Sequence, residues 1–219
     1  MNTAILVIII LSVLLALALG IYYFFYYAPY KFIGKKYAIS LLKDETEFDK
    51  SFSKSLQVKT LVTRPTLSVP DTGYGLTFAW EMYIPNRPSN DNWANKFNIV
   101  KPILAMNDSP QIGYNPKKNY LSIILKYRDN PFYAQYSEMK IPDIKQQQWN
   151  KYIVIINGRS ITVFINGTLI DNKILPSVPV IYDIASSIDL GKENNNFLGK
   201  IRNFVLYPLP VDYTDIDKL

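Results

Sequence analysis

Trp149-Asn150-Lys151-Tyr152-Ile153-Val154-Ile155-Ile156-Asn157-Gly158 is followed, after Arg159, by Ser160-Ile161-Thr162-Val163-Phe164-Ile165-Asn166-Gly167 and then Thr168-Leu169-Ile170. The first run is β-branched and aromatic at its centre, and an Asn-Gly pair closes it. A two-residue type I′ hairpin needs positive φ at both central residues, which Asn and Gly adopt at least cost. The pairs Asn157-Gly158 and Asn166-Gly167 therefore predict two tight turns, and the three runs predict an antiparallel meander. Ile161, Val163 and Ile165 share one face of the middle strand, Thr162 and Phe164 the other, the pattern of a sheet packed on a second sheet.

Further strands are expected at Gly75–Ile84, Lys101–Met106, Tyr120–Tyr127, Ile188–Gly191 and Phe197–Phe204. Polar stretches such as Pro85–Asn92 and Asn194-Asn195-Asn196 separate them. A Trp, an apolar strand, Asn-Gly, a second apolar strand, Asn-Gly, then Ile188-Asp189-Leu190-Gly191 and Phe197-Leu198-Gly199-Lys200-Ile201-Arg202-Asn203-Phe204 resembles the concanavalin A-like lectin/glucanase superfamily. The likeness is to its laminin-G and pentraxin-like jelly rolls, in particular the membrane-anchored modules of large DNA viruses. It covers Leu56 to Pro210 and implies an all-β jelly-roll sandwich. It does not imply one activity, because this superfold carries lectins, hydrolases and adhesion modules.

The N-terminal end carries a different signal. Ala4 to Ala28 is a run of 25 residues without a charge, enough to cross a hydrocarbon core of about 30 Å as a single transmembrane helix. Tyr22, Tyr23, Tyr26, Tyr27 and Tyr30 form the kind of aromatic belt that sits at a membrane–water interface, and Lys31, Lys35 and Lys36 follow directly. A cleaved signal peptide is the rival reading. Ala16-Leu17-Ala18 has cleavage-type residues, but Met1-Asn2-Thr3 supplies no basic n-region and the apolar run continues past them. One-sided lysines put the following domain on the cytosolic side. The chain has no cysteine, which fits that compartment without requiring it. The sequons Asn166-Gly167-Thr168 and Asn107-Asp108-Ser109, the latter followed by Pro110, read as chance matches.

The expected layout is thus an anchor over 1–30, a charged juxtamembrane spacer over 31–55, the sandwich over 56–210 and a surface tail over 211–219. The spacer assignment rests on Lys43 to Lys54, which is dense in mixed charge.

Absent residue types exclude much chemistry. With no histidine and no cysteine, Ser-His-Asp and Cys-His catalysis and most transition-metal ligand sets are ruled out. The paired acids of glucanases, Glu-x-Asp-x-x-Glu on one strand, do not occur, and Glu81 stands as the acid of a confidently assigned strand. A lone carboxylate cannot serve both roles in glycoside cleavage. Asp71, Asp108, Asp129 and Asp171 fall in expected loops without the oxygen cluster that calcium needs. No enzyme, cofactor or metal is expected.

The net charge of +6 comes without a basic helix or an RNA-binding motif, so nucleic acid is not an expected partner. Asn90, Asn92, Trp93 and Asn95 are the candidate ligand loop, where an aromatic could stack on a sugar beside amide groups. The expected function is a non-enzymatic single-pass membrane protein with a jelly-roll interaction domain. In full, it is a minor capsid or virion protein linking internal membrane and capsid, with the bilayer and other capsid proteins as partners. The alternative is a membrane-anchored lectin that binds glycan, and a degenerate glycosidase stands third.

Overall fold

The structure is a computed structural model describing residues 3–22, 38–49, 51–57, 75–86, 99–130, 133–180, 187–193 and 195–219. It divides into two units, Met1–Ala38 and Ile39–Leu219. In the first, α1 (Thr3–Tyr22) is a helix of 20 residues with no acidic residue in its first turn and no basic one in its last. Its side chains are described from Ser12 to Tyr22, and all are exposed. Among the described residues no helix is long and apolar enough to cross a membrane. At 1.5 Å per residue the 20-residue helix is ~30 Å long.

The second unit is an all-β sandwich of two antiparallel sheets, consistent with the expected jelly roll. Its strands are β1 (Ile39–Leu42), β2 (Thr46–Phe48), β3 (Lys54–Gln57), β4 (Gly75–Tyr83), β5 (Lys101–Met106), β6 (Gln111–Asn115), β7 (Tyr120–Asn130), β8 (Tyr133–Pro142), β9 (Trp149–Asn157), β10 (Ser160–Ile165), β11 (Thr168–Ile174), β12 (Ser187–Leu190) and β13 (Gly199–Tyr207). Among the described residues one sheet has seven strands in the order β1-β13-β4-β9-β10-β11, with β2 also on β13. The other has six, in the order β3-β12-β5-β6-β7-β8.

Alternation along the strands builds the core. Leu76, Phe78, Trp80 and Met82 of β4, Tyr152, Val154 and Ile156 of β9, and Ile161 and Val163 of β10 point between the sheets. They meet Ile103, Leu104, Ile112, Tyr114, Leu121, Ile123 and Leu125 of the facing sheet. At the centre the Trp80 ring stacks on Tyr152 at 5.3 Å and tilts against Phe204, also at 5.3 Å. Asn150, only 1% exposed, ties the two ends of this region together. Its Nδ2 donates to the Lys145 carbonyl at 2.8 Å, and its Oδ1 accepts from Gln148 at 2.8 Å and from Asn166 at 3.0 Å.

The charged stretch before residue 56 is not a spacer. β1, β2 and β3 are strands of the sandwich, which begins at Ile39. Phe48 is fully buried, with its ring 4.3 Å from Phe52 and 5.5 Å from Phe197. Asn196 fastens the turn after it, donating to the carbonyls of Asp49 at 2.7 Å and Phe52 at 2.6 Å. The acids look outward instead, where Glu45 and Glu47 lie 2.6 and 3.7 Å from Lys200. Strands of three or four residues are too short to display an alternation that charges would not mask.

The C-terminal tail also belongs to the fold. Tyr213–Lys218 forms a 3-10 helix capped by Asp212, whose side chain accepts from the Thr214 N–H. Val211 and Ile216 are buried with Ala79, Ile153, Ile155, Phe164 and Tyr207, on the face of the seven-stranded sheet opposite the main core. The Thr77 hydroxyl holds the segment, donating to the Leu209 carbonyl at 3.0 Å and accepting from the Val211 N–H at 2.9 Å.

The second turn is as expected: Asn166 (φ 51°) and Gly167 (φ 78°) lie between the paired Ile165 and Thr168. The first is shifted by one residue. Asn157 pairs with Ser160, so the loop is Gly158-Arg159, and of the two only Gly158 has positive φ, at 55°. Gly at the first central position is the demand of a type II′ turn. Gly158→Val and Gly167→Val should each destabilise the domain by about 1–3 kcal/mol, because a β-branched side chain is strained at such φ. Urea denaturation checks this, and unchanged midpoints for both variants would show the turns to be misassigned.

Candidate binding surface

Of the residues singled out from sequence, Tyr22 is the last residue of α1 and is exposed. Tyr23, Tyr26, Tyr27, Tyr30, Lys31, Lys35 and Lys36 lie outside the described residues, as do Asn90, Asn92, Trp93 and Asn95. The ends of that loop are placed: β4 runs out at Tyr83, and Ile99, 48% exposed, leads into β5.

What the sequence did not reveal is a cluster on the outer face of the seven-stranded sheet. Register sets it. Glu81 lies opposite Lys151 of β9 and Arg202 of β13, while Tyr83 lies opposite Trp149 and Lys200. Opposed residues share a face, so two rows cross three strands, one of alternating charge (Lys151, Glu81, Arg202) and one of Trp149, Tyr83 and Lys200.

A β-bulge completes the arrangement. Register shifts between Arg202 and Val205, and Asn203 has φ of 51°. Consecutive strand residues normally point to opposite faces; the extra residue lets both Arg202 and Asn203 reach the same carboxylate. Glu81 Oε2 accepts from Arg202 Nε at 2.8 Å and lies 2.7 Å from its Nη2, and Oε1 accepts from Asn203 Nδ2 at 2.9 Å. Partial burial pushes the Glu81 carboxyl up, but hydrogen bonds from Asn203 and Arg202, with the charges of Arg202 and Lys151, outweigh it and hold it below the ordinary glutamate range. The guanidinium of Arg202 also lies 4.2 Å from the Trp149 ring centroid, and Tyr83 tilts against Trp149 at 5.8 Å.

Next to this cluster is a shallow, open depression of about 330 Å³, lined in part by Ala79, Glu81, Lys151, Asn203, Val205 and Leu219. Glu81 is the only acid among those lining residues. Both of its carboxylate oxygens are engaged, by Arg202 and by Asn203. Among the described residues no group of three or more His, Cys, Asp or Glu could hold a metal ion.

The cluster therefore has the makings of a contact surface. Trp, Tyr and Arg are the residue types in which interface energy concentrates, and here they lie in mutual contact. The signal in the sequence was faint: Arg202-Asn203 in an otherwise apolar strand, with Asn the residue that tolerates left-handed φ.

Similarity to solved structures extends to the fold. With a TM-score of 0.58 and 12% identity, the chain matches a mutant of HCR/D over 83% of its own length and 45% of the other chain. The binding domain of Paraclostridial Mosquitocidal Protein 1 matches with a TM-score of 0.51 and 17% identity, over 66% of this chain and 36% of that one. The receptor binding domain of botulinum neurotoxin mosaic serotype C/D matches with a TM-score of 0.51 and 12% identity, over 67% and 36%. The chain thus spans less than half the length of these structures. No protein-family model and no curated protein sequence matches it. The class defined is an all-β sandwich of two antiparallel sheets, consistent with a jelly roll.

Glu81→Gln should cost about 1–2 kcal/mol at pH 7, the scale of a charge-assisted hydrogen bond in a half-buried pair. A carboxylate whose folded pKa is depressed adds stability that is present above its unfolded pKa and lost as pH falls through the folded value. The gap between wild type and variant should therefore be full at pH 7 and narrow at a pH well below the ordinary glutamate range. Denaturant titrations at the two pH values measure it, and a gap that does not depend on pH would contradict the ion-pair account.

Proposed function

We propose that this chain is a non-enzymatic, membrane-anchored binding protein: α1 spans a bilayer and the jelly-roll sandwich engages a protein partner. The observation that carries the anchor is α1 itself, 20 helical residues without a charge. Apolar residues at −0.3 to −0.6 kcal/mol each favour insertion by roughly several kcal/mol over such a length. Support for binding is the partly exposed cluster of Trp149, Tyr83 and Arg202 beside an acid that is paired with Arg202. The similar structures are themselves binding domains.

The topology in this proposal puts the sandwich on the cytosolic side, from Lys31, Lys35 and Lys36 after the span. Its finer form is a minor capsid protein of a large DNA virus. Such a protein would link an internal membrane to the shell, because the outward face of that membrane was once cytosolic. That form rests on the resemblance of the strand motifs.

A glycan partner is the second reading. A sugar stacks on a bare aromatic face, and at Trp149 one ring face is already covered by Arg202.

Expression of the full chain in sealed membranes, with carbonate extraction and protease digestion, tests the proposal. The chain should stay in the membrane, and the sandwich should be digested only from the cytosolic side. Val13→Lys with Leu14→Lys should release it, since each central lysine costs about 2.5–3.5 kcal/mol of insertion. Extraction of the wild type by carbonate would refute the anchor, and glycosylation at Asn166 would refute the orientation. Glycan binding abolished by Trp149→Ala would replace the protein-binding reading with the lectin.

A further inference from the structure

β11 closes the seven-stranded sheet, and no described strand pairs with its other side. All its residues except Lys173 are exposed, including Leu169 at 54%, Ile170 at 45% and Ile174 at 71%. An exposed edge with apolar side chains is a template for another strand. The register irregularity toward β10 falls between Val163 and Phe164, which pair with Asp171 and Leu169, so Asp171 to Ile174 form a regular edge.

The sequence of this edge is complementary to itself. Around Asn172 it reads Ile170, Asp171, Asn172, Lys173, Ile174. When two copies run antiparallel about a two-fold axis at Asn172, Asp171 of each faces Lys173 of the other. Opposite charges directly across a strand pair stabilise it, and like charges destabilise it. Side chains are held near the edge: Asp171 Oδ1 accepts from the Asn172 N–H at 2.8 Å, Asn172 is bonded to Ser160 Oγ at 3.1 Å and Thr162 Oγ1 at 3.2 Å, and Lys173 donates to the Glu138 carbonyl at 2.7 Å.

The geometry points to a homodimer in which β11 of two copies pairs antiparallel, centred on Asn172, so that two seven-stranded sheets become continuous. The partner is a second copy of this chain because the edge carries both halves of its own charge pattern. An isologous contact closes at two copies. Its area lies at the low end for stable interfaces, which makes it a contact to trap by cross-linking. It does not depend on the membrane reading or on the identity of any other partner.

The absence of native cysteine gives a clean test. Residues facing across a two-fold pair stand with Cα atoms about 4.5–5.5 Å apart, within disulfide range. In the full chain, in lipid or detergent, Asn172→Cys should oxidise to a disulfide-linked dimer. Asp189→Cys, exposed on β12, should not.

Adding Asp171→Lys or Lys173→Asp to Asn172→Cys should each lower the cross-linked fraction about tenfold, since two attractive pairs become two repulsive ones. Mixing these two variants should restore cross-linking as a heterodimer, and combining both reversals in one chain should restore it as a homodimer. That recovery separates lost pairing from lost folding. Equal cross-linking at Asn172→Cys and Asp189→Cys, or a dimer indifferent to charge reversal, would overturn the inference.

Discussion

The stack of Trp80, Tyr152 and Phe204 between the two sheets is the contact on which the rest depends. It joins β4, β9 and β13 at the middle of the seven-stranded sheet, with Trp80 and Phe204 buried among the largest side chains of the core. A strand has a side-chain period of two, so pointing Trp80 inward forces Glu81 outward, and pointing Tyr152 inward does the same to Lys151. A slip of one residue would bury the charges and expose the rings. Core packing thus sets the register, and the register lines up the charged row on the far face.

The outer face of the same sheet divides by what lies on it. At one end Ile153, Ile155, Phe164 and Tyr207 would be bare apolar surface, and the C-terminal segment covers them with Val211 and Ile216. At the other end the face is polar: Glu81 is paired with Arg202, Lys151 adds a further positive charge beside them, and Trp149 lies under Arg202. A Trp, a Tyr and an Arg lie there in mutual contact and partly open to solvent.

Much of the architecture could be read from the chain. Alternation in Ser160–Ile165 and the Asn-Gly pairs gave the meander, since turn chemistry is local and leaves its mark in composition. The turn at Gly158 lay one residue on from its expected place because β9 extends through Asn157, a matter of pairing with Ser160. Phe48 was hidden among acids, as the strand holding it is three residues long and its partner, β13, lies some 150 residues away. The outer-face cluster was least visible of all. Glu81, Trp149 and Arg202 come from three strands that pairing register brings together, and the bulge that adds Asn203 leaves as its trace an Asn beside an Arg.

The central claim is that the apolar core between the sheets organises the domain from Ile39 onward, including the charged segment that precedes residue 56. Hydrogen exchange of the full chain, followed by mass spectrometry, tests it most directly. Amides of Ile39–Leu42 and Thr46–Phe48 should be protected by about a hundredfold or more and should open together with β13, to which both strands are bonded. Exchange of these segments at the rate of an unstructured peptide, while β4 and β9 stay protected, would contradict the account.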